Sequence, residues 1–297
     1  MFHALVSIKQ VPDTTNIRID PETNNLIRQG VPTILNPYDA HAVAAAVEWK
    51  RKLGGKVTII TMGPPAAVTS LRECIEMGAD RAILISARQF AGADTLATSY
   101  VLAEVIKEIH SKDPIDLVFF GKQAIDGDTA QVGPQVAEKL GVPQITYAEA
   151  ILSLEEEQIV VRRAFEHGME IVQCSLPCLL TVVSTANQPR PASVRRRIQY
   201  KLAAVPSEVP GLLEKWPEFG TAAALEDYLA ENNLKITVWT TEDLEVDESL
   251  LGLSGSPTQV YKVNFVVLEA TESKEIPPTE EGIRALIQEL IQEYLIG

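Results

Sequence analysis

The stretch "DLVFFGKQAIDGDTAQVGPQVAEKLG", Asp116 to Gly141, decides the reading of the fold. The run from Leu117 to Phe120 is apolar at every position, as in a strand covered on both faces, and not alternating as in a half-exposed one. Glycines and aspartates follow, and then "TAQVGPQVAEKLG" repeats its apolar residues at helical spacing and closes on Gly141, where a helix C-cap glycine belongs. Strand, loop and helix in that order form one unit of a parallel α/β sheet.

The same unit recurs upstream. "FHALVSI" precedes "NPYDAHAVAAAVEWKRKLG", "KVTIITM" precedes "PPAAVTSLRECIEMG", and "RAILIS" precedes "ADTLATSYVLAEVIKEIH". Asn36-Pro37 fits an N-cap followed by proline at the first helical position, and Gly54 and Gly78 fit C-caps. Beyond residue 150 the pattern changes: "ILSLEEEQIVVRRAF" and "MEIVQCSLPCLLTVV", about a turn at Gly168, predict antiparallel strands at the sheet edge. The fold class expected is therefore α/β, a mostly parallel Rossmann-like sheet flanked by helices, with an antiparallel strand extension and a C-terminal helical arm. We divide the chain at residue 202, into an α/β domain of residues 1–202 and an acidic insertion and C-terminal arm of residues 203–297 that contacts partner subunits. In the arm, "TAAALEDYLAEN" predicts a helix, and Ile283, Leu286, Ile287, Leu290, Ile291, Tyr294 and Leu295 form one apolar stripe that either folds back or docks on a partner.

Charge follows the same division. Residues 1–202 carry 22 acidic and 21 basic side chains, whereas residues 203–297 carry 18 and 5, so nearly all of the formal charge of −14 belongs to the tail. An acidic surface repels phosphate backbones and predicts no nucleic-acid partner; the basic cluster "RRRIQYK", Arg195 to Lys201, reads as a local protein contact or a solvated strand edge. No apolar run is long enough to span a bilayer, and residues 1–15 lack signal-peptide features, so the expectation is a cytoplasmic protein, at most peripheral to a membrane through its partners. Cys74, Cys174 and Cys178 suit buried thiols, with no second ligand pair for zinc.

Ligands of open parallel sheets bind beyond the carboxyl ends of the strands, so "KQVPDT", "TMGPP", "ARQFAGADT" and "GKQAIDGDT" should converge on one rim. The last suits an anion: the amides of about residues 128 to 132 would open a helix, Thr129 and Gln131 add neutral donors, and Asp126 or Asp128 caps. A capped turn without a ligand fits the same spacing. No dinucleotide fingerprint, P-loop, zinc-protease or nucleophile-elbow motif is present, and no nucleophile and base pair stands out, so redox chemistry here needs a cofactor.

"IKQVPD", "NPYDAHAVAAA", "GADR", "GKQAIDGDTAQVGPQVA" and "PCLLTVVSTANQPRPAS" resemble, in order and spacing, the beta subunit of electron-transfer flavoprotein, whose signature region corresponds to Val161 to Thr181. The resemblance implies an adenine-nucleotide site and a larger, FAD-bearing alpha subunit as partner. By position it implies nucleotide contacts from Ser7, Asn36, Met62, Gly121, Lys122, Gln123, Ala124, Ile125, Asp126, Gly127, Asp128, Thr129, Ala130, Gln131 and Val132. Val194 corresponds to the residue through which conventional members recognise dehydrogenases. Conventional members hold AMP and shuttle electrons; electron-bifurcating ones hold FAD there, take a hydride from NADH and divide the electrons between a high-potential acceptor and ferredoxin or flavodoxin. "KQVPDT", "GADTLATS", "DGDTAQVGP" and "GSPTQV" resemble the bifurcating group, which adds Asp94, Thr95 and Thr98 as contacts to the flavin ring or nicotinamide; a helix N-cap explains Asp94 equally well. Residues 203–250 lengthen the chain relative to compact members, and contact with a quinone-reducing flavoprotein or an iron–sulfur subunit is the role expected of them.

Overall fold

A computed structural model describes residues 1–13, 32–166, 168–258 and 274–293. Thr14, His167, Gln259, Val260, Tyr294 and Leu295, which figure in the segments quoted above, lie outside the described residues. The chain divides into two units, Met1–Gln259 and Val260–Gly297.

The first unit is built on a nine-stranded sheet. In chain order its strands are β1 (Phe2–Ser7), β4 (Gly55–Met62), β5 (Arg81–Ile85), β6 (Leu117–Gly121), β7 (Gln144–Leu154), β8 (Gln158–Phe165), β9 (Gly168–Ser175), β10 (Cys178–Val182) and β11 (Ile236–Trp239), and β2 (Gln10–Pro12) and β3 (Thr33–Leu35) form a separate antiparallel pair. Across the sheet the order is β11-β5-β4-β1-β6-β10-β7-β8-β9. All neighbours from β11 to β7 are parallel, and β7, β8 and β9 pair antiparallel.

Helices on both faces explain why these strands are apolar throughout. Ala4 and Val6 of β1 pack with α1 (Pro37–Leu53) and α2 (Val68–Met77), while Leu5 points the other way, into the core beneath α3 (Thr95–Lys112) and α4 (Val132–Leu140). Each fully buried Leu or Ile of this kind contributes about 1.5–3 kcal/mol. Gly54, Gly78 and Gly141 end α1, α2 and α4 with positive φ, as their positions predict.

Two sequence expectations need correction. "CLLTV" is not part of the antiparallel edge: β10 returns to the middle of the sheet, parallel to both β6 and β7 and buried along its whole length. Its unbroken apolar character is the mark of a doubly covered strand. Nor is "RRRIQYK" a strand edge; Val194–Tyr200 is a helix, α5, joined to α2 by Arg196 Nη2 donating to the Ile75 carbonyl (3.1 Å) and by Arg197 facing Glu76 (3.5 Å).

Residues 203–239 belong to the first unit. Through α6 (Val209–Lys215) and α7 (Ala222–Glu231) they lead to β11, which extends the sheet beyond β5, and Ala203, Val205, Leu225, Leu229 and Ile236 are buried in the core beside α2. Deleting 203–250 would therefore remove core and sheet, so surface substitutions are the cleaner probe of a partner role. In the second unit α8 (Glu280–Gln292) carries the expected stripe, with Ile283, Ile287 and Ile291 exposed. No helix among the described residues is long and apolar enough to cross a membrane.

Candidate functional site

The carboxyl ends of β1, β4, β5 and β6 converge on one rim, and a buried carboxylate organises its centre. Asp39, in the first turn of α1, accepts from the Lys9 amide through Oδ2 (2.7 Å) and from the Gly121 amide through Oδ1 (3.1 Å), tying the exits of β1 and β6 to one helix start. Beside it Asn36 sits at the N-cap position, but its side chain does not cap. Its Nδ2 donates to the Gln123 carbonyl (2.8 Å) and its Oδ1 accepts from the Ile125 amide (3.3 Å), so it holds the first turn of the loop 121–131. Gly121 is required for this approach: a Cβ there would lie 2.3 Å from Asp39 Oδ1 and 2.7 Å from both Asp39 N and the Tyr38 carbonyl carbon.

Burial pushes the Asp39 carboxyl from 3.8 up to about 7, against the pull of the two amides. The folded chain therefore holds this proton more tightly than the unfolded chain. That contribution to stability is complete below about pH 4 and is lost as pH rises through about 7, at no more than about 1.4 kcal/mol per pH unit. We expect Asp39→Asn to flatten this part of the stability profile, measured by denaturant unfolding from pH 4 to 8; an unchanged slope would show that the proton is bound elsewhere.

The loop beyond Gly121 differs from its sequence reading at one point. Helix α4 begins at Val132 behind an N-cap, Gln131, that makes no side-chain cap bond, so neither Asp126 nor Asp128 caps it. Both acids are engaged otherwise. Lys9 Nζ donates to both oxygens of Asp126 (2.7 Å each), and Gln123 Nε2 donates to Asp128 Oδ1 (2.7 Å). The Lys9 ammonium thus offsets one of the two charges that argue against an anion here.

Asp128 and Ala130 have positive φ, 52° and 53°. Aspartate tolerates that region and alanine does so only at a cost of about 1–2 kcal/mol, so the loop holds a conformation its sequence resists. Among the described residues the Thr129 and Ala130 amides have no acceptor within the chain, and the Val132 and Gly133 amides open the first turn of α4. Consecutive unspent amides at a helix start form a site for an anion, phosphate above all. Thr95 Oγ1 donates to Gln131 Oε1 (3.3 Å), which leaves the Gln131 amide nitrogen as a donor.

The remaining expected residues fall on the same rim in different roles. Ser7 is buried at the end of β1, and Met62 ends β4. Lys122 donates its backbone amide to the Val182 carbonyl (2.8 Å) and sets its ammonium 5.3 Å from the Tyr147 ring centroid. Ala124 accepts from the amides of Gly127 (3.3 Å) and Asp128 (2.9 Å) in a turn. Thr98 sits in the first turn of α3. Asp94 caps α3, accepting from Leu96 N (2.9 Å) and Ala97 N (3.0 Å), and its other oxygen is taken by Thr258. Asp39 and Lys9 were absent from the expected set; the signal for Asp39 was a lone acid opening an alanine-rich helix. A half-open pocket of about 130 Å³ lies elsewhere, between α1 and the β7–β10 region, lined by Trp49, Phe119 and Leu180 among others. It shares no residue with the rim, and the chemistry of the rim, not enclosure, marks the site. No cluster of three or more potential metal ligands occurs among the described residues.

A family model described as the electron transfer flavoprotein domain matches residues 23–207. The chain belongs to the electron transfer flavoprotein family. It is 41% identical over 99% of its length to the whole of a protein named electron transfer flavoprotein subunit beta from Thermoanaerobacterium thermosaccharolyticum. It is also 41% identical, over 96% of the chain and 90% of the relative, to protein FixA of Bradyrhizobium diazoefficiens. A third relative, 44% identical over 87% of the chain and 86% of its own length, is named caffeyl-CoA reductase-Etf complex subunit CarD, from Acetobacterium woodii. Membership and near full-length similarity identify a beta-subunit type of electron transfer flavoprotein, and electron transfer as its role. The match runs through the rim loop, so the geometry described above belongs to the portion shared with the family.

Proposed function

We propose that the rim holds the phosphates of FAD, and that the chain is the beta subunit of an electron-bifurcating electron transfer flavoprotein. In this reading NADH delivers a hydride, one electron passes to a high-potential acceptor and the other to ferredoxin or flavodoxin. The observation that carries it is the loop 121–131, whose unspent amides, helix start and neutral donors suit a nucleotide's phosphates while its acids are engaged by Lys9 and Gln123. When bound, FAD supplies the hydride acceptance and single-electron release that no side chain on the rim provides. The chain's part is to fix the phosphates with the amides of 129–133 and the side chains of Thr129 and Gln131, and to keep Asn36 and Asp39 holding the loop against the sheet.

Pairing with an alpha subunit follows from the beta-subunit type, and α8, with its exposed isoleucines, offers an apolar face for such a partner. Val194, 73% exposed at the start of α5, offers another to a dehydrogenase, and the acidic segment 203–250 offers a contact to a quinone-reducing flavoprotein or iron–sulfur subunit. Similarity to a subunit of a named reductase–Etf complex supports assembly beyond a single pair.

One observation favours the AMP-holding alternative. The Asp94 carboxylate, expected among the flavin contacts, is occupied on both oxygens, which leaves Thr95 and Thr98 for that role. The discriminating experiment is cofactor content of the anaerobically purified complex with its alpha partner, followed by NADH titration. Two FAD per heterodimer with direct bleaching by NADH is the expected result; one FAD, one AMP and no response to NADH would make the chain a conventional shuttle subunit. Either way Thr129→Ala and Gln131→Ala should each weaken nucleotide binding by about 1.5–3 kcal/mol, the range for one charge-assisted hydrogen bond. Unchanged nucleotide content after dialysis would place the phosphates elsewhere.

A further inference from the structure

The segment 247–258 is fastened across the N-terminal end of α3. Its Asp247 amide donates to the Tyr100 hydroxyl on α3 (2.8 Å), and the Leu253 amide donates to the Ala91 carbonyl (3.1 Å). Leu251, within the segment, is buried in the core that α3 faces. Gly252 has a φ of 52° and passes so close to the 89–91 turn that a Cβ would lie 2.2 Å from the Gln89 carbonyl oxygen. Asp94 closes the fastening. Its backbone amide donates to Ser256 Oγ (2.8 Å), which itself donates to the Gly252 carbonyl (2.7 Å), and its Oδ2 accepts from both the amide (3.1 Å) and the hydroxyl (2.7 Å) of Thr258.

The same helix end touches the rim. Thr95, next in sequence, donates to Gln131 Oε1, and α3 packs along α4, whose first turn follows the loop 121–131. We infer that Asp94 is a positioning residue: it clasps the strap 247–258 to the start of α3, and through Thr95 and Gln131 it couples seating of the strap to nucleotide binding at the rim. This rests on the rim being the nucleotide site. A strap that loosens lets the α3 N-terminus and Gln131 move, so rim affinity falls; by linkage, nucleotide binding must tighten the strap by the same factor.

Thr258 and Ser256 lie outside the rim's binding groups and allow a clean test. The full-length chain, in complex with its alpha partner and stripped of beta-site nucleotide, would be titrated with AMP as the probe while hydrogen exchange of 247–258 is followed. We expect Thr258→Val to speed exchange of the strap and weaken AMP binding at least about fivefold, the low end of measured site-to-site coupling. AMP should slow strap exchange in the wild type and lose that effect in Thr258→Val. Asp94→Asn, which retains a cap oxygen but loses the acceptor for Thr258, should behave like Thr258→Val and not like a lost helix cap. Equal AMP affinity in wild type and Thr258→Val, or a wild-type strap indifferent to AMP, would overturn the coupling while leaving the site intact. A wild type that binds neither AMP nor FAD at the rim would overturn the site and the inference together.

Discussion

Gly121→Ala is expected to destabilise the first unit by about 4 kcal/mol or more and to abolish nucleotide binding. The new methyl would meet Asp39 Oδ1 at 2.3 Å and two backbone atoms, Asp39 N and the Tyr38 carbonyl carbon, at 2.7 Å. A side-chain oxygen can swing aside, but helix α1 is packed against the sheet by Ala42, Val43 and Ala46, all fully buried, so its backbone cannot retreat without opening the core. The displaced atoms are those that hold the root of the loop 121–131, so stability and binding fail together. Denaturant unfolding of the variant, with retained nucleotide measured after dialysis, is the check; a loss below about 1 kcal/mol would mean that the close approach of β6 to α1 is not as described.

The second large effect is at Asp39. Asp39→Ala leaves the partly buried Lys9 and Gly121 amides without their acceptor, at about 1–2 kcal/mol each, so a loss of about 2–4 kcal/mol is expected. Asp39→Asn keeps one acceptor oxygen and should cost roughly half as much. Removing the carboxylate will not rescue Gly121→Ala, because two of its three clashing atoms are backbone; the double variant should be less than additive yet no more stable than Gly121→Ala alone. A double variant more stable than Gly121→Ala would show that the Asp39 side chain alone sets the glycine requirement. Measured side by side, the four variants separate the acceptor role of Asp39 from the steric role of its neighbours.

The parallel half of the fold was legible because β1, β4, β5 and β6 are covered on both faces and their sequences carry apolar runs in place of strict alternation. β10 carries the same signature, but it follows a hairpin in the chain, and chain order misled where burial did not. At the rim, the loop 121–131 and its neutral donors could be read from glycine, threonine and glutamine beside a helical pattern. The start of α4 could not: two positive-φ residues delay the helix to Val132, and nothing local announces them. Asp94 was legible as a cap because its partners lie two and three residues away; its bond to Thr258, 164 residues distant, exists only in three dimensions.

The central position of β10 bears on how the chain acquires its shape. β6 ends at Gly121, yet its neighbour on one side arrives only with Cys178–Val182, after β7, β8 and β9. Until Val182 has left the ribosome, β6 is an open edge and β7 has no parallel partner. A pairing of Leu117 with Cys178 closes a long stretch of chain, so the insertion of β10 is a non-local step of folding, and a chain halted before that point presents an unpaired apolar strand edge of the kind chaperones bind.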